Sequence, residues 1–273
     1  MASIDTGTDD LLASLDEGVA VLTLNRLEAL NAISKEMNAA LQKCLSDFEL
    51  DPAVRCIVLT GAGKGFCAGG DVKGMAIAGD GTVGNNTIDG AIHLQRVHQR
   101  ATSGKLFKMP KPTIAALPGA AAGGGLSYAL ACDLRIMAST AIMTTAFAKV
   151  GFSGDYGGSY FMTKLVGTAK ARELYYLSDR ITASEALRIG LTNYICEPEA
   201  LMDKTMEIAR RLAKGPSVAY RYMKENLNRA LVGELDDCMD LEATHHVHCG
   251  QTQDHRDAVQ AFVDKKEPVF TGK

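Results

Sequence analysis

In the first fifth of the chain, hydrophobic and polar residues first alternate, as in β-strands, and then recur at the spacing of an α-helix. Residues 10–25 hold two short apolar runs separated by Asp-Glu-Gly, which is the pattern of a β-hairpin. Residues 35–48 place apolar side chains three and four positions apart, and this spacing predicts an amphipathic helix. Ser34 precedes that helix and is its predicted N-cap.

Three later segments are short and almost wholly apolar. They cover residues 55–61, 112–117 and 133–138, and such runs are typical of strands in a sheet that is covered on both faces. Helical patterns lie between them, at residues 122–131 and at roughly 88–105. Strands that alternate with helices predict an α/β fold with a largely parallel sheet.

The last quarter of the chain has the pattern of successive helices. From residue 199 to 264 the sequence is almost continuously helix-forming, with breaks near residues 215 and 233. We therefore predict a core over residues 1–198 and a C-terminal helical region over residues 199–273.

Residues 74–90 contain many Gly, Asn and Asp residues and predict a surface loop. Two interpretations of this loop stay open. It is either a disordered connection or a lid over a nearby site.

Composition excludes several classes of function. The chain has 273 residues, of which 47% are hydrophobic, enough for one large domain or for a core with a smaller appendage. A net charge of −3 without basic runs disfavours binding to nucleic acid or to anionic membranes. The first ten residues are polar and acidic, and no apolar run reaches the ~18 residues that span a bilayer. We expect a soluble, cytoplasmic protein.

Neither disulfides nor metal ions are expected. The seven cysteines are odd in number and contain no C-x-x-C pair, so free thiols are the simplest interpretation. A cluster is formed by His245, His246, His248 and Cys249, in which position 245 would share a helix face with 248 and with 249, but no carboxylate partner or second cluster is evident.

Two glycine-rich turns have the same design. Residues 58–73 and 114–130 each run from an apolar strand through small residues into a predicted helix. Glycine permits close approach of a ligand, and the first N–H groups of a helix lack partners within it. One N–H from each turn could bind the same oxygen and stabilise negative charge on it. Glycines before a helix also serve close packing, and neither run has the spacing of a nucleotide-binding motif.

Seven segments, in order, resemble the crotonase (enoyl-CoA hydratase/isomerase) superfamily. They span nearly the whole chain: 25–33, 63–73, 117–125, 131–136, 151–158, 171–174 and 261–272. The resemblance implies a ββα-superhelix core with a C-terminal α-helical region used in trimer contacts, as a homotrimer or a dimer of trimers. It also implies an acyl-CoA thioester as substrate, with coenzyme A as part of that substrate and no separate cofactor.

The resemblance assigns residues to the oxyanion hole and to contact with the acyl-CoA. It places the two oxyanion N–H groups at Gly70 and Gly124. Further candidates for contact with the acyl-CoA are Ala68, Asp71, Tyr128, Tyr156, Lys73 and Lys265. The two lysines match positions that can contact the CoA phosphates, and they can equally be solvated surface lysines. The two tyrosines can be hydrogen-bond donors or packing residues.

The proton-transferring residues are the main departure from the hydratases. Hydratases of the superfamily use two glutamates, and the corresponding positions hold Ser127 and Phe147 in this sequence. Hydration requires one group to activate water and another to deliver a proton. An isolated hydroxyl does this poorly and a phenyl ring cannot do it, so two-glutamate hydration is disfavoured.

Asp155 is the candidate replacement. It lies in the glycine-rich run G-F-S-G-D-Y-G-G, and the resemblance implies that isomerases, epoxide-opening enzymes and dehalogenases of the superfamily use an aspartate there as base or nucleophile. Aromatic surroundings would raise its pKa towards a useful range. The alternative is that Asp155 only stabilises its own turn.

The leading hypothesis is an enoyl-CoA isomerase, which shifts a double bond or rearranges a ring on a CoA thioester with Asp155 as the single general base. Two alternatives stay open. One is a hydratase or hydrolase that activates water, and the other is an inactive paralogue that only binds acyl-CoA.

Overall fold

The described part of the chain contains two β-sheets. The computed structural model describes residues 2–71 and 87–273. Their strands, numbered in chain order, are β1 Ala2–Ile4, β2 Leu11–Asp16, β3 Val19–Leu24, β4 Cys56–Gly61, β5 Gly65–Cys67, β6 Thr113–Leu117, β7 Ala120–Ala122, β8 Leu134–Ala138, β9 Ile142–Thr144, β10 Ile181–Thr182 and β11 Tyr194–Cys196.

The larger sheet has seven strands in the order β1-β2-β3-β4-β6-β8-β11. Its first three strands are antiparallel, whereas β3, β4, β6, β8 and β11 run parallel. The smaller sheet has the order β10-β9-β7-β5, and its members β5, β7 and β9 are parallel. This mixed architecture confirms the predicted α/β class.

Ten α-helices connect and cover the strands of the described chain. They are α1 Lys35–Leu50, α2 Ile88–Ala101, α3 Ser103–Lys108, α4 Gly123–Ala131, α5 Gly158–Leu177, α6 Ala183–Arg188, α7 Leu201–Ala213, α8 Ser217–Ala230, α9 Leu235–Gly250 and α10 Gln253–Val263. None of these helices is long and apolar enough to cross a membrane.

Most of the elements predicted from the pattern are present. The hairpin is β2–β3, with Asp16 paired to Val19. Ser34 caps α1 by accepting a hydrogen bond of 2.9 Å from the N–H of Met37. The three apolar segments form β4, β6 and β8, and every residue of β4 and β6 is buried.

The single helix predicted over 88–105 is wrong in one respect, because Thr102 divides it into α2 and α3. Thr102 has non-helical backbone angles, and its hydroxyl donates to the carbonyl oxygen of His98 at 2.8 Å. A threonine that binds the preceding turn in this way competes with the helix.

The predicted loop over 74–90 lies mostly outside the described residues. Thr87 is extended and caps α2, which begins at Ile88, so residues 88–90 of the predicted loop are helical. The disordered-loop and lid interpretations both remain predictions.

The C-terminal helical region is present, and its breaks near residues 215 and 233 separate α7 from α8 and α8 from α9. Helix α7 packs across β3, β4, β6 and β8 of the larger sheet. Helix α8 is fixed by the buried ammonium group of Lys224, which lies 2.9 Å from the Asp133 carboxylate and donates to the Leu106 carbonyl. A domain boundary at residue 198 remains a prediction.

Candidate active site

The two glycine-rich turns meet because β5 and β7 are neighbouring parallel strands. Gly65 pairs with Ala120, and Cys67 pairs with Ala121. The carboxyl ends of parallel neighbours lie at the same edge of a sheet. The turn that follows β5 therefore lies beside the start of α4.

Missing side chains allow the turns to approach one another. Gly69 has φ +90°, and a Cβ atom there would lie 2.8 Å from the Ala122 carbonyl oxygen. A Cβ atom on Gly125 would lie 2.5 Å from the Cys67 carbonyl oxygen. Neither contact is sterically possible, so these two glycines serve the close packing of the turns.

Local backbone geometry sets the directions of two N–H groups, those of Gly70 and Gly124. The Ile33 N–H binds the Gly69 carbonyl at 2.8 Å, and a trans peptide directs the following Gly70 N–H to the opposite side. Gly124 lies in the first turn of α4, where backbone N–H groups have no partner within the helix. Its N-cap, Ala122, makes no side-chain capping bond.

A pocket of about 90 Å³ opens between these turns. Four of the residues that line it were predicted from the sequence, namely Ala68, Gly70, Gly124 and Asp155. The remaining lining residues are Gly123, Thr145, Ala146, Phe147, Val150 and Phe152. The structure thus brings the predicted oxyanion glycines and the predicted base together.

Asp155 presents an unpaired carboxylate oxygen. Its Oδ1 is buried and has no hydrogen-bond partner among the described residues. The same atom lies 3.2 Å from the position that a Cβ atom on Gly124 would take. Burial alone raises the pKa of this carboxyl from 3.8 to about 6, since a charged group is disfavoured where water is excluded. An oxygen without a partner does not support the alternative in which Asp155 stabilises its own turn.

The two predicted tyrosines lie behind the pocket, outside its lining. Tyr128 is fully buried, and its hydroxyl donates to the Asn38 side chain at 3.3 Å. Tyr156 meets Tyr128 edge to face, with ring centroids 4.9 Å apart, and its ring lies 3.2 Å from the Cβ position of Gly124. The arrangement supports packing for both, and their contact with substrate remains a prediction.

Two further candidates for contact with substrate, Asp71 and Lys265, are described and are not among the residues that line the pocket. Asp71 pairs with Arg26, with the guanidinium 3.2 Å from the carboxylate. Lys265 is exposed and follows the end of α10. Lys73 lies outside the described residues. The contribution of these three to binding of acyl-CoA remains a prediction.

Sequence reasoning missed one aromatic residue at the site. Tyr175 stacks on Phe147, with ring centroids 5.9 Å apart and planes 22° apart. The same ring lies 3.1 Å from the Cβ position of Gly154, and its hydroxyl lies 2.7 Å from that of Gly158. Tyr175 therefore covers the turn that carries Asp155. It belongs to an ordinary helical pattern, so no local signal marks it.

One member of the histidine cluster, His245, forms polar contacts within the C-terminal helices. The Nδ1 atom of His245 contacts the Asn226 side chain, and its Nε2 lies 3.4 Å from the Glu225 carboxylate. In the part of the chain that is described, no three His, Cys, Asp or Glu residues form a group able to hold a metal ion. All seven cysteines are free thiols, and four of them are buried.

Known proteins share both the sequence and the fold. The sequence model of the enoyl-CoA hydratase/isomerase family matches residues 14–273. A 1,2-epoxyphenylacetyl-CoA isomerase from Escherichia coli is 36% identical, over 96% of this chain and 98% of the relative. A short-chain-enoyl-CoA hydratase from Clostridium acetobutylicum is 35% identical, over 91% of this chain and 92% of the relative.

A solved structure agrees with this relationship. The enoyl-CoA hydratase from Bacillus anthracis superposes with a TM-score of 0.88 at 29% identity, covering 97% of this chain and all of that one. The superposition covers nearly the whole chain, so the fold is of the crotonase type. The chain belongs to the enoyl-CoA hydratase/isomerase family.

The burial of Asp155 should have an effect on the free energy of unfolding that can be measured without any substrate. A carboxyl whose pKa is raised on folding contributes stability that is complete below about pH 4 and is lost as the pH rises through about 6. We expect Asp155→Asn, which cannot ionise, to raise the free energy of unfolding at pH 8 by about 1–2 kcal/mol. This is less than the ~3 kcal/mol of the full shift because the residue is partly exposed.

Denaturant unfolding of both proteins at about pH 8 and about pH 4.5 measures this effect, and the gain should be smaller at the lower pH. The same gain at both pH values would contradict the burial of an ionised carboxylate.

Proposed function

We propose that the chain is an acyl-CoA isomerase in which Asp155 moves a proton along an enolised thioester. The observation that carries the proposal is the buried, unpaired Oδ1 of Asp155 in the same pocket as Gly70 and Gly124. A base needs a free lone pair directed at the reacting carbon. Burying an unpaired carboxylate also costs free energy, which a purely structural residue would have no reason to retain.

The glycine turns would bind the thioester oxygen. In this proposal that oxygen accepts hydrogen bonds from the N–H groups of Gly70 and Gly124. Negative charge builds on it when a proton leaves the carbon next to the carbonyl, and donors already in place stabilise that charge without reorganising. The positive end of the α4 dipole lies at the same point and adds to the effect.

Asp155 would serve as both base and acid. With a 3-enoyl thioester, its carboxylate removes a proton from C2, and the electrons move into a dienolate held at the thioester oxygen. The carboxylic acid then delivers the proton to C4, which leaves a 2-enoyl thioester. A pKa of about 6 suits both steps, because the group is mostly ionised at neutral pH and its conjugate acid is still a good donor.

The rest of the pocket supports transfer of a proton more than activation of water. Phe147 and Phe152 present apolar rings to it, and Tyr175 stacks behind Phe147. In this proposal, Ser127 and Phe147 occupy the positions of the two glutamates that hydratases use. The first of these is buried and donates to the backbone carbonyl of Asp155 at 3.0 Å. An unsaturated ring on the acyl group would be handled by the same base.

Removal of the carboxylate should abolish turnover and spare binding. We expect Asp155→Ala to reduce the conversion of 3-hexenoyl-CoA to 2-hexenoyl-CoA by about a thousandfold or more, since a positioned base contributes about 10²–10⁴-fold. Its affinity for a CoA ester should stay within about threefold of the wild type. Absorbance of the conjugated thioester measures the first quantity, and calorimetry measures the second.

Asp179→Ala is the matched control, because Asp179 is an exposed aspartate outside the pocket. Wild-type turnover in Asp155→Ala would refute the assignment of the base. Loss of both binding and turnover with an intact fold would do so as well.

Hydration is the second candidate, because one relative and the superposed structure are hydratases by name. Crotonyl-CoA separates the two reactions, since hydration removes its conjugated double bond, whereas the equilibrium of a double-bond shift favours the conjugated isomer that crotonyl-CoA already is. We expect the rate of loss of crotonyl-CoA absorbance to be at least about a hundredfold below the rate of 3-hexenoyl-CoA isomerisation. Comparable rates would favour a hydratase, and binding without any turnover would favour an inactive paralogue.

We also propose a homotrimer or a dimer of trimers, in the cytoplasm and without a separate cofactor. The C-terminal helices and their connections expose large apolar side chains in the isolated chain: Leu227 69%, Val232 67%, Leu235 71%, Phe262 85% and Val263 68%. Such surfaces in a protein without a membrane-spanning helix among its described residues are typical of subunit contacts. Sedimentation equilibrium should give three or six times the monomer mass of 29.1 kDa, and a monomer would contradict the proposal.

A further inference from the structure

Both polar groups of the peptide bond between Asp155 and Tyr156 are held by side chains from other parts of the fold. The Asp155 carbonyl accepts a hydrogen bond of 3.0 Å from the Ser127 hydroxyl, and another of 3.0 Å from the Gly158 N–H. The Tyr156 N–H donates to the Gln99 side chain at 2.6 Å. Ser127 belongs to α4 and Gln99 to α2, so two separate helices hold one peptide unit.

The role of each group in these bonds is fixed by chemistry. A backbone N–H can only donate, so the amide atom of Gln99 that faces Tyr156 must be the oxygen. A backbone carbonyl can only accept, so the Ser127 hydroxyl donates its proton there. Its other acceptor, the Gly123 carbonyl, lies farther away at 3.3 Å.

The backbone has an unusual conformation directly after Asp155. Tyr156 has φ +48°, a left-handed conformation that favours glycine and needs support from its surroundings. Rotation of the 155–156 peptide would turn the bonds at the Asp155 Cα atom. Oδ1 of Asp155 has no partner among the described residues, so no hydrogen bond at that atom fixes the orientation of the carboxylate.

We propose that Gln99 and Ser127 are positioning residues that aim Asp155 at the acyl group through its backbone. The inference rests on the proposed function, because it requires Asp155 to be the base. It also assigns a different task to Ser127, whose hydroxyl acts on the peptide that carries the base and not on water.

Three variants of one helix test the proposal. Gln99→Met keeps the shape of the side chain and loses the acceptor, whereas Gln99→Glu keeps an acceptor at the same place. Gln95→Met is the matched control one turn earlier on α2. With 3-hexenoyl-CoA as the probe, we expect Gln99→Met to lower kcat at least about tenfold with KM within about twofold, since small misplacements of catalytic groups cost up to about a hundredfold. Gln95→Met should match the wild type.

The pH profile separates positioning from a loss of structure. Gln99→Glu should recover most of the kcat at about pH 9, and its acid limb should lie at higher pH than that of the wild type. The reason is that a second carboxylate near Asp155 disfavours the ionised form of Asp155. A variant that is merely destabilised would show neither recovery nor displacement.

Three other titratable groups near Asp155 do not change their charge within the pH range of this profile. Burial raises the pKa of Cys67 and of Tyr156 to about 12, and burial also raises the pKa of Tyr175 above its usual range. All three therefore stay neutral between about pH 5 and pH 9. Arg96 and Arg100 line the groove beside Gln99.

Ser127→Ala tests the other side of the peptide. We expect a loss of kcat of about three- to tenfold, with a double variant Ser127→Ala/Gln99→Met losing less than the product of the single effects, because both act on one unit. Wild-type kcat in folded Gln99→Met, an equal loss in Gln95→Met, or no recovery in Gln99→Glu would each overturn the inference.

Asp155→Asn, assayed in parallel, distinguishes failure of the positioning role from failure of the proposed function. An inactive Asp155→Asn together with fully active Gln99 and Ser127 variants would overturn the positioning role alone. Full activity of Asp155→Asn would overturn the proposed function, and the positioning role would fall with it.

Discussion

The parallel pairing of β5 with β7 is the constraint on which the site depends. Each strand has only three residues, yet their alignment brings a turn from residues 68–70 against the start of α4. The approach is close enough that Gly69 and Gly125 have no room for a Cβ atom. A side chain at either position would separate the two turns, and the pocket between them would lose its geometry. The two N–H groups depend on backbone packing and not on any charged side chain.

The proposed chemistry comes from placing a charge where it is poorly solvated. Asp155 has neither an arginine nor a lysine partner among the described residues, and an apolar pocket wall keeps its pKa near 6. Folding must supply the free energy for this from the rest of the core. In return the carboxylate is a stronger base than a solvated aspartate. The peptide held by Gln99 and Ser127 allows the oxygen to stay unpaired and still be oriented.

The local pattern of hydrophobic and polar residues predicted the helices and strands well, but it could not predict contacts between residues that are distant in sequence. The hairpin, the buried strands and the Ser34 cap follow from periodicity and capping chemistry, and family resemblance pointed to Gly70, Gly124 and Asp155. The break at Thr102 depends on a single side-chain bond to the preceding turn, which residue spacing does not reveal. Gln99 and Tyr175 sit in ordinary helical patterns. Their importance arises only when α2 and α5 pack against the turn that carries Asp155 and Tyr156, and Tyr156 is 57 residues from Gln99 in sequence.

A crystal structure with a bound saturated thioester, hexanoyl-CoA, tests the central claim most directly. The account predicts a thioester oxygen within about 3.2 Å of the backbone nitrogens of Gly70 and Gly124. It also predicts Oδ1 of Asp155 within about 3.5 Å of C2 of the acyl chain, without a protein hydrogen-bond partner. A thioester oxygen bound elsewhere, or an Asp155 carboxylate turned away and paired with another side chain, would contradict it.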